Sequence, residues 1–515
     1  MPLFVSLSWE VAVALTATAI GFLLLHHRFV KRHPLDDLPG PLSPSVLLGH
    51  VLDTKGSLVS WHTTRVFPEP FLRWTIQYGG AFHYREFWLH IVSLNDPKAL
   101  QHVLVARGAN YPRSTLIRSI VTERLFGVGL LSSTGHAHDR QRKMLNPHFS
   151  HTYVKTFLPT FERLATRCCD HILARIAASD VPTVNMLDVF QELSLNIIGQ
   201  AAFGFDFSDH PDVLAAYETQ ARPLPAWCML GQLFVPKFTN LPLPQLQAFQ
   251  AALRTLKQAM QRVIASKLAA TTKANDLLDL YLPHTTSDEA LCHTMTFITG
   301  GHETTSASLS WLFGMLATRP QVVARIRCEV SKVQQTHGNK SLATFEAVRA
   351  LEYTTATIQE SLRLNPIVNH IIRRVAEADD FVPMADGSTV FIPKGTGIDI
   401  NLPVIHRNPR YWANPEAFVP ERFLDGSPEW LADEALRHTK SHAYVYMPFS
   451  IGSGSCIGQK FAMAEMAVVT AVFLSQFEFG LTKDTNLRHR FTGTVLRPVH
   501  LDMTVKRIVQ VGTAA

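Results

Sequence analysis

Apolar residues recur at helical spacing over most of the stretch from Ser114 to Leu364, and proline-rich breaks such as Leu241–Pro244 divide it into separate helices. Strand patterns occur at Ala81–Leu94 and again after Val382. There, Asp386 and Gly387 form a turn signal ahead of Thr389–Ile392, which predicts a hairpin. The expectation is a fold that is mainly α with small β-sheets. Near the start, Val11–Leu25 carries no charge, and with the apolar residues before Glu10 it approaches the ~20 residues needed to cross a bilayer. Residues 1–30 are therefore expected to be an N-terminal transmembrane anchor, with Glu10 leaving a shallow or tilted insertion open. Arg28, Lys31 and Arg32 follow the apolar run, which orients the remainder toward the cytosol. A cleaved signal peptide would carry its positive charge ahead of the run instead.

Residues 31–50 read as a basic, proline-rich hinge, because DDLPGPLSP (Asp36–Pro44) blocks helix continuation. Beyond it no low-complexity linker, repeat or charge block divides the chain, so residues 51–515 are expected to be one catalytic body. Hydrophobic residues are 46% of the total and charged residues 17%, which suits a large core plus one membrane segment. The formal charge of +6 comes from scattered residues without a dense Lys/Arg run, which argues against nucleic acid and fits an acidic protein partner. The six cysteines lie apart, except Cys168 and Cys169, so no disulfide framework is expected and a reducing compartment fits.

Three segments carry chemistry. In the buried helix expected around Glu289–Thr318, Gly300, Gly301, His302, Glu303, Thr304 and Thr305 place two glycines and a carboxylate in an apolar run. That is either a groove presenting an acid and a hydroxyl to a ligand, or a packing notch whose Glu303 meets a basic neighbour. Glu360 and Arg363 share one helix face at i,i+3 spacing, and Arg422, in a stretch dense in proline and aromatic residues, is placed to reach a buried carboxylate. Finally FSIGSGSCIG (Phe449–Gly458) puts Cys456 just ahead of a helix N-terminus, where backbone N–H groups stabilise a thiolate. Gly452, Gly454 and Gly458 allow close approach of a flat ligand. A lone cysteine is also a common buried apolar residue, and no second Cys or His stands at zinc spacing.

In combination, LPGP, GGHETT, ESLR, PERF and FSIGSGSCIG running into FAMAE resemble the cytochrome P-450 family of haem-thiolate monooxygenases, eukaryotic microsomal type, closest in motif to fatty-acid and sterol hydroxylases. The resemblance implies haem b with Cys456 as axial ligand to the iron. It implies that Glu303 and Thr304 serve proton delivery, that Phe449 and Gly452 border the cofactor, and that His138, Arg142 and Arg374 (or its neighbour Arg373) contact its propionates. It also implies that Glu360, Arg363 and Arg422 form a structural ion cluster. Gly300 stands where some ω-hydroxylases carry a glutamate that esterifies haem, so no covalent attachment is expected.

The resemblance further implies insertion of one oxygen atom from O2 into a C–H bond of a hydrophobic substrate. Candidate pocket linings are Tyr111–Leu131, Phe297, Ile367–Ile372 and Phe491–Val495, with Asn369 and His370 either orienting a polar group or standing as surface residues. No dinucleotide fingerprint is present, so electrons from NADPH are expected through a separate flavoprotein reductase, docking at Arg142, Lys143 and Lys460. Contact with membrane lipid and an endoplasmic-reticulum location, single-pass, complete the expectation. An oxygen-independent isomerase or dehydratase and a non-enzymatic haem-binding protein are the alternatives.

One departure stands inside the identifying motif. The family pattern F-x-x-G-x-R-x-C-x-G expects arginine where this chain has Gly454. Either cations such as Arg142 and Arg374 suffice, or haem occupancy is low. On the first reading, Gly454→Arg is expected to slow haem loss.

Overall fold

The computed structural model describes residues 33–508, except 57–66, 116–117, 119–126, 179–181, 223, 226, 229–230, 233–234, 236, 273–275 and 337–340. The expected anchor at 1–30 lies outside the described residues, among which no helix is long and apolar enough to cross a membrane.

Helix α1 (Phe71–Tyr78) lays Phe71 and Trp74 on the sheet that follows, where they meet Phe82, Tyr84 and Ile91. The predicted strand run resolves into a hairpin, β1 (Ala81–Glu86) and β2 (Leu89–Leu94), paired antiparallel with Ala81 opposite Leu94. Helices α2 (Gly135–Leu145) and α3 (His151–Ala177) lead to a short strand β3 (Thr183–Asn185) that the helical pattern concealed. The series continues with α4 (Met186–Phe203), α5 (Pro211–Ala221) and α6 (Pro244–Ala269), the last starting at the proline-rich break. Then come α7 (Ser287–Leu316), α8 (Pro320–Thr336) and α9 (Glu352–Leu364). Thr286 caps α7 by accepting the N–H of Glu289 at 3.2 Å, satisfying a donor that the helix itself leaves free.

Strands β4 (His370–Val375), β5 (Asp380–Pro383), β6 (Thr389–Ile392) and β7 (Gly397–Asn401) follow. The main sheet has the order β1-β2-β7-β4, with β2 and β7 parallel, while β5 and β6 form the predicted hairpin with Gly387 at positive φ in its turn. After α10 (Pro428–Arg437) and α11 (Gln459–Gln476), β8 (Phe477–Leu481), β9 (Asn486–Phe491), β10 (Leu496–His500) and β11 (Asp502–Arg507) close two small sheets.

The helical core is built around an aromatic junction. Phe190 of α4 lies 4.9 Å from Phe313 of α7 and 5.7 Å from Phe473 of α11 between ring centroids. Such pairs contribute about 0.5–1.5 kcal/mol each beyond their burial.

A buried ion cluster joins α9 to the chain ahead of Cys456. Arg363 holds Glu360 through two bonds of 2.7 and 2.8 Å and donates its remaining N–H groups to the carbonyls of His406, Pro415 and Ala417. Arg422 lies 3.5 Å from Glu360, but its bidentate partner is Asp433 of α10, at 3.0 and 3.1 Å. Sequence reasoning missed that carboxylate. Removing one member of so buried a pair costs about 3–5 kcal/mol because its partner stays charged and unmatched.

The two glycines of α7 separate the alternatives left open by the sequence. A Cβ on Gly301 would come within 2.9 Å of Ile198 on α4, whereas one on Gly300 would meet nothing within 4 Å. Gly301 is therefore a packing notch and Gly300 borders open space. Both alanine substitutions gain the same helix propensity. Gly301→Ala is thus expected to be less stable than Gly300→Ala by about 1–3 kcal/mol, the cost of overpacking; equal urea midpoints would refute the notch.

Candidate active site around Cys456

The loop before α11 closes on itself. The Cys456 N–H donates to the Phe449 carbonyl at 2.8 Å, and Ser455 N–H to that of Gly452 at 3.1 Å. Gly452 has φ +81°, and a Cβ there would strike the Leu104 carbonyl oxygen at 2.2 Å, so the loop requires glycine to pack against the neighbouring turn. Phe449 packs against the helical core.

Cys456 lies deep in the protein, yet its side chain is exposed. Its side chain thus keeps an open face amid crowded surroundings. Burial pushes its thiol up, while the N–H groups of Gly458 and Gln459 and the Arg142 guanidinium pull it back toward the thiolate.

Cations gather behind this loop. Arg142 donates to the Ser455 carbonyl at 2.6 Å and hydroxyl at 3.2 Å, which fixes the residue next to Cys456. Arg374 of β4 turns to the same place, whereas Arg373, one residue earlier, pairs with Glu86 at 2.9 Å across the sheet. A third arginine, unmarked in the sequence, joins them. Arg113 forms an isolated antiparallel bridge with Arg374 and donates to the carbonyls of Leu130 and Leu131.

Among the described residues, none of these three guanidiniums has a carboxylate in ion-pair contact. Burial and mutual repulsion lower Arg113 to about 10, and burial alone lowers Arg374. Close by, buried His138 uses Nδ1 toward Asp139 at 3.2 Å and leaves Nε2 without a partner. Burial holds its pKa down, with Arg113 and Arg142 opposing its protonation.

On α7, Glu303 and Thr304 are half-buried. Thr304 donates to the Gly300 carbonyl at 2.6 Å, and Glu303 accepts from Thr494 at 2.6 Å. Burial raises Glu303 above the ordinary carboxylate value, with the Thr494 bond and Arg497 opposing the shift. His302 points the other way, into the core, where Nδ1 bonds the Tyr217 hydroxyl at 2.7 Å.

The chain thus carries an open cysteine at a helix start, unmatched cations behind its loop and an acid-hydroxyl pair on a long helix. The family model described as Cytochrome P450 matches residues 39–505. The chain belongs to the cytochrome P450 family. This P450 is 28% identical to ganoderic acid synthetase of Ganoderma lucidum, over 92% of this chain and 93% of the relative. It is 27% identical to cytochrome P450 monooxygenase 91 of Postia placenta (90% and 92% covered) and 27% identical to cytochrome P450 3A5 of Homo sapiens (91% of each). Family membership makes it a haem-dependent monooxygenase, an oxidoreductase that uses O2, a hydrophobic substrate and a redox partner.

The residues present fit haem. The cofactor carries carboxylates, and three unmatched guanidiniums with an orphaned His138 nitrogen form a socket that carboxylates would satisfy. Several expected residues do other work. Arg142 binds the Ser455 carbonyl, which engages part of a side chain also expected at the docking face. His370 bonds buried Asp399 at 2.7 Å, so its ring is engaged within the fold. Tyr111 donates to Asp380 at 2.9 Å, and Phe297 packs in the core against Phe149. Much of Tyr111–Leu131 lies outside the described residues.

The missing arginine also finds its explanation here. A Cβ on Gly454 would lie 2.8 Å from Nη2 of Arg374 and 3.3 Å from Nη2 of Arg113. The space is already occupied by guanidinium groups from two other segments. The expectation that Gly454→Arg slows haem loss thereby gains a condition: the new side chain would have to share this space with the flexible ends of Arg374 and Arg113. Arg113→Ala is expected to speed haem loss at least about tenfold, the loss of one charge-assisted bond. Gly454→Arg is expected to slow loss only in that background, as read by haem transfer to a scavenger protein; equal effects in both backgrounds would refute the substitution of one arginine for another.

Proposed function

We propose that this P450 binds haem b with Cys456 as axial thiolate and hydroxylates a fatty-acid, sterol or terpenoid-like substrate, with electrons from NADPH through a separate flavoprotein reductase. The observation that carries this reading is Cys456 itself, with an open side chain faced by the N–H groups of Gly458 and Gln459. His138, Arg142 and Arg374, joined by Arg113, would hold the propionates, while Phe449 and Gly452 shape the thiolate side. Haem, when bound, supplies the iron chemistry that reduces O2 and transfers one oxygen atom to a C–H bond.

The protein's own part is to orient and to supply protons. Thr304 Oγ1 is pinned to the Gly300 carbonyl, beside open space, which holds a hydroxyl at a defined place on α7. The Glu303 carboxyl, raised by burial, retains a proton into a higher pH range than an exposed glutamate and suits a proton donor. Buried Ile367, Ile371 and Val495 support an apolar substrate.

Residues 1–30 would serve as a single-pass anchor in the endoplasmic reticulum membrane, 31–50 as hinge, and 51–515 as the cytosolic catalytic body. Exposed Leu42 and Leu47 in the hinge suit contact with lipid. Exposed Lys143 and Lys460 remain as docking charges for the reductase.

The direct test is a reduced, CO-bound absorption band near ~450 nm, which reports thiolate ligation. NADPH and O2 consumption with a hydroxylated product, dependent on added reductase, should follow; a band without product would leave a haem-binding protein. A second expectation concerns Glu303. Because its folded pKa is raised, the stability linked to its neutral form is present below the ordinary carboxylate value and is lost as pH rises through the raised one. Glu303→Gln is expected to raise Tm at pH 8 more than at pH 5 while lowering turnover about a hundredfold or more.

A further inference from the structure

Away from Cys456, a turn at Pro34–Asp37 meets the β1–β2 hairpin and gathers imidazoles with a carboxylate. His83 pairs in register with Val92 and His90 with Arg85, so His83 and His90 are diagonal neighbours on one face of the hairpin. Their rings lie nearly parallel, and His83 Nε2 stands 3.0 Å from His90 Nδ1. Asp36 Oδ1 lies 3.9 Å from His83 Nδ1. One nitrogen of each ring and one carboxylate oxygen all fall within 4.8 Å of one another.

The surroundings hold these groups in place. The His33 backbone N–H binds the other Asp36 oxygen at 2.7 Å, fixing the carboxylate. The His33 ring stacks on His90 with centroids 3.7 Å apart, and its Nδ1 is already engaged by the Leu35 N–H. Neutral imidazole is the form that binds metal. Arg85 opposes a cation here, but its guanidinium is tied to the carbonyls of Ser45 and Val46 and to the Ser43 hydroxyl.

Other buried histidines use distinct partners, as His370 does with Asp399 and His302 with Tyr217. His83 and His90 instead face each other nitrogen to nitrogen, an arrangement that one proton or one cation can bridge. We propose that Asp36, His83 and His90 form a binding site for one divalent transition cation of the zinc class, its shell completed by water. Zinc–nitrogen bonds of about 2.0–2.1 Å in tetrahedral geometry place two ligand nitrogens about 3.3 Å apart, so the pair must open by only a few tenths of an ångström. The cation would pin the turn at Asp36 to the catalytic body, independently of the chemistry at Cys456.

The test uses untagged, full-length, haem-loaded protein and Zn²⁺ alone. One equivalent is expected to bind and to raise Tm. The double variant His83→Ala, His90→Ala should lose that equivalent while keeping its haem spectrum, and Asp36→Asn should weaken binding at least about tenfold. Equal zinc content and equal Tm shift in wild type and double variant would overturn the site. Should the double variant fail to fold, zinc-edge X-ray absorption on the wild type decides: two imidazole ligands support the assignment, and none overturns it.

Discussion

The pair Glu360–Arg363 organises the part of the molecule that matters most for chemistry. With both side chains excluded from water, Arg363 distributes its donors between one carboxylate and three backbone carbonyls. One of these carbonyls belongs to His406, whose ring in turn accepts the N–H of Met447, two residues before Phe449. A charge on α9 is thereby connected through an ordered meander to the loop that carries Cys456. A neutral helix end could not gather so many carbonyls, because only a guanidinium offers that number of donors in a rigid fork.

Behind the cysteine the electrostatic balance runs the other way. Arg113, Arg142 and Arg374 are brought together, and among the described residues the acceptors of Arg113 and Arg142 are backbone carbonyls and the Ser455 hydroxyl, none of them charged. Like charges opposite one another on adjacent strands repel. Like charges thus crowd at this place, and a cofactor bearing carboxylates would relieve their repulsion. The charges of Glu360 and Arg363 are matched inside the protein, whereas those behind Cys456 would be matched by such a cofactor.

How much of this was legible depended on whether a feature is local in the chain. Cys456, its glycine-rich loop and the helix that follows lie in consecutive residues, so type and spacing disclosed them. The same holds for Gly300 to Thr305, although which glycine packs and which faces open space depended on where Ile198 lies. Arg113 carried no motif of its own. Its part follows from a bridge to Arg374 that brings two distant segments together, a tertiary fact with no periodic trace. Asp433 was hidden for the same reason, since nothing in its own helix indicates that Arg422 will reach it. Arg142 and His370 also make contacts that spacing alone did not indicate, to the Ser455 carbonyl and to Asp399.

Gly454 bears on how such proteins are found. Guanidinium groups from two other segments lie beside Gly454, so positive charge stands near the cysteine loop without an arginine in the loop itself. A search pattern that demands arginine two residues ahead of the cysteine would discard this chain. A search that counts positive charge around the sulfur would retain it.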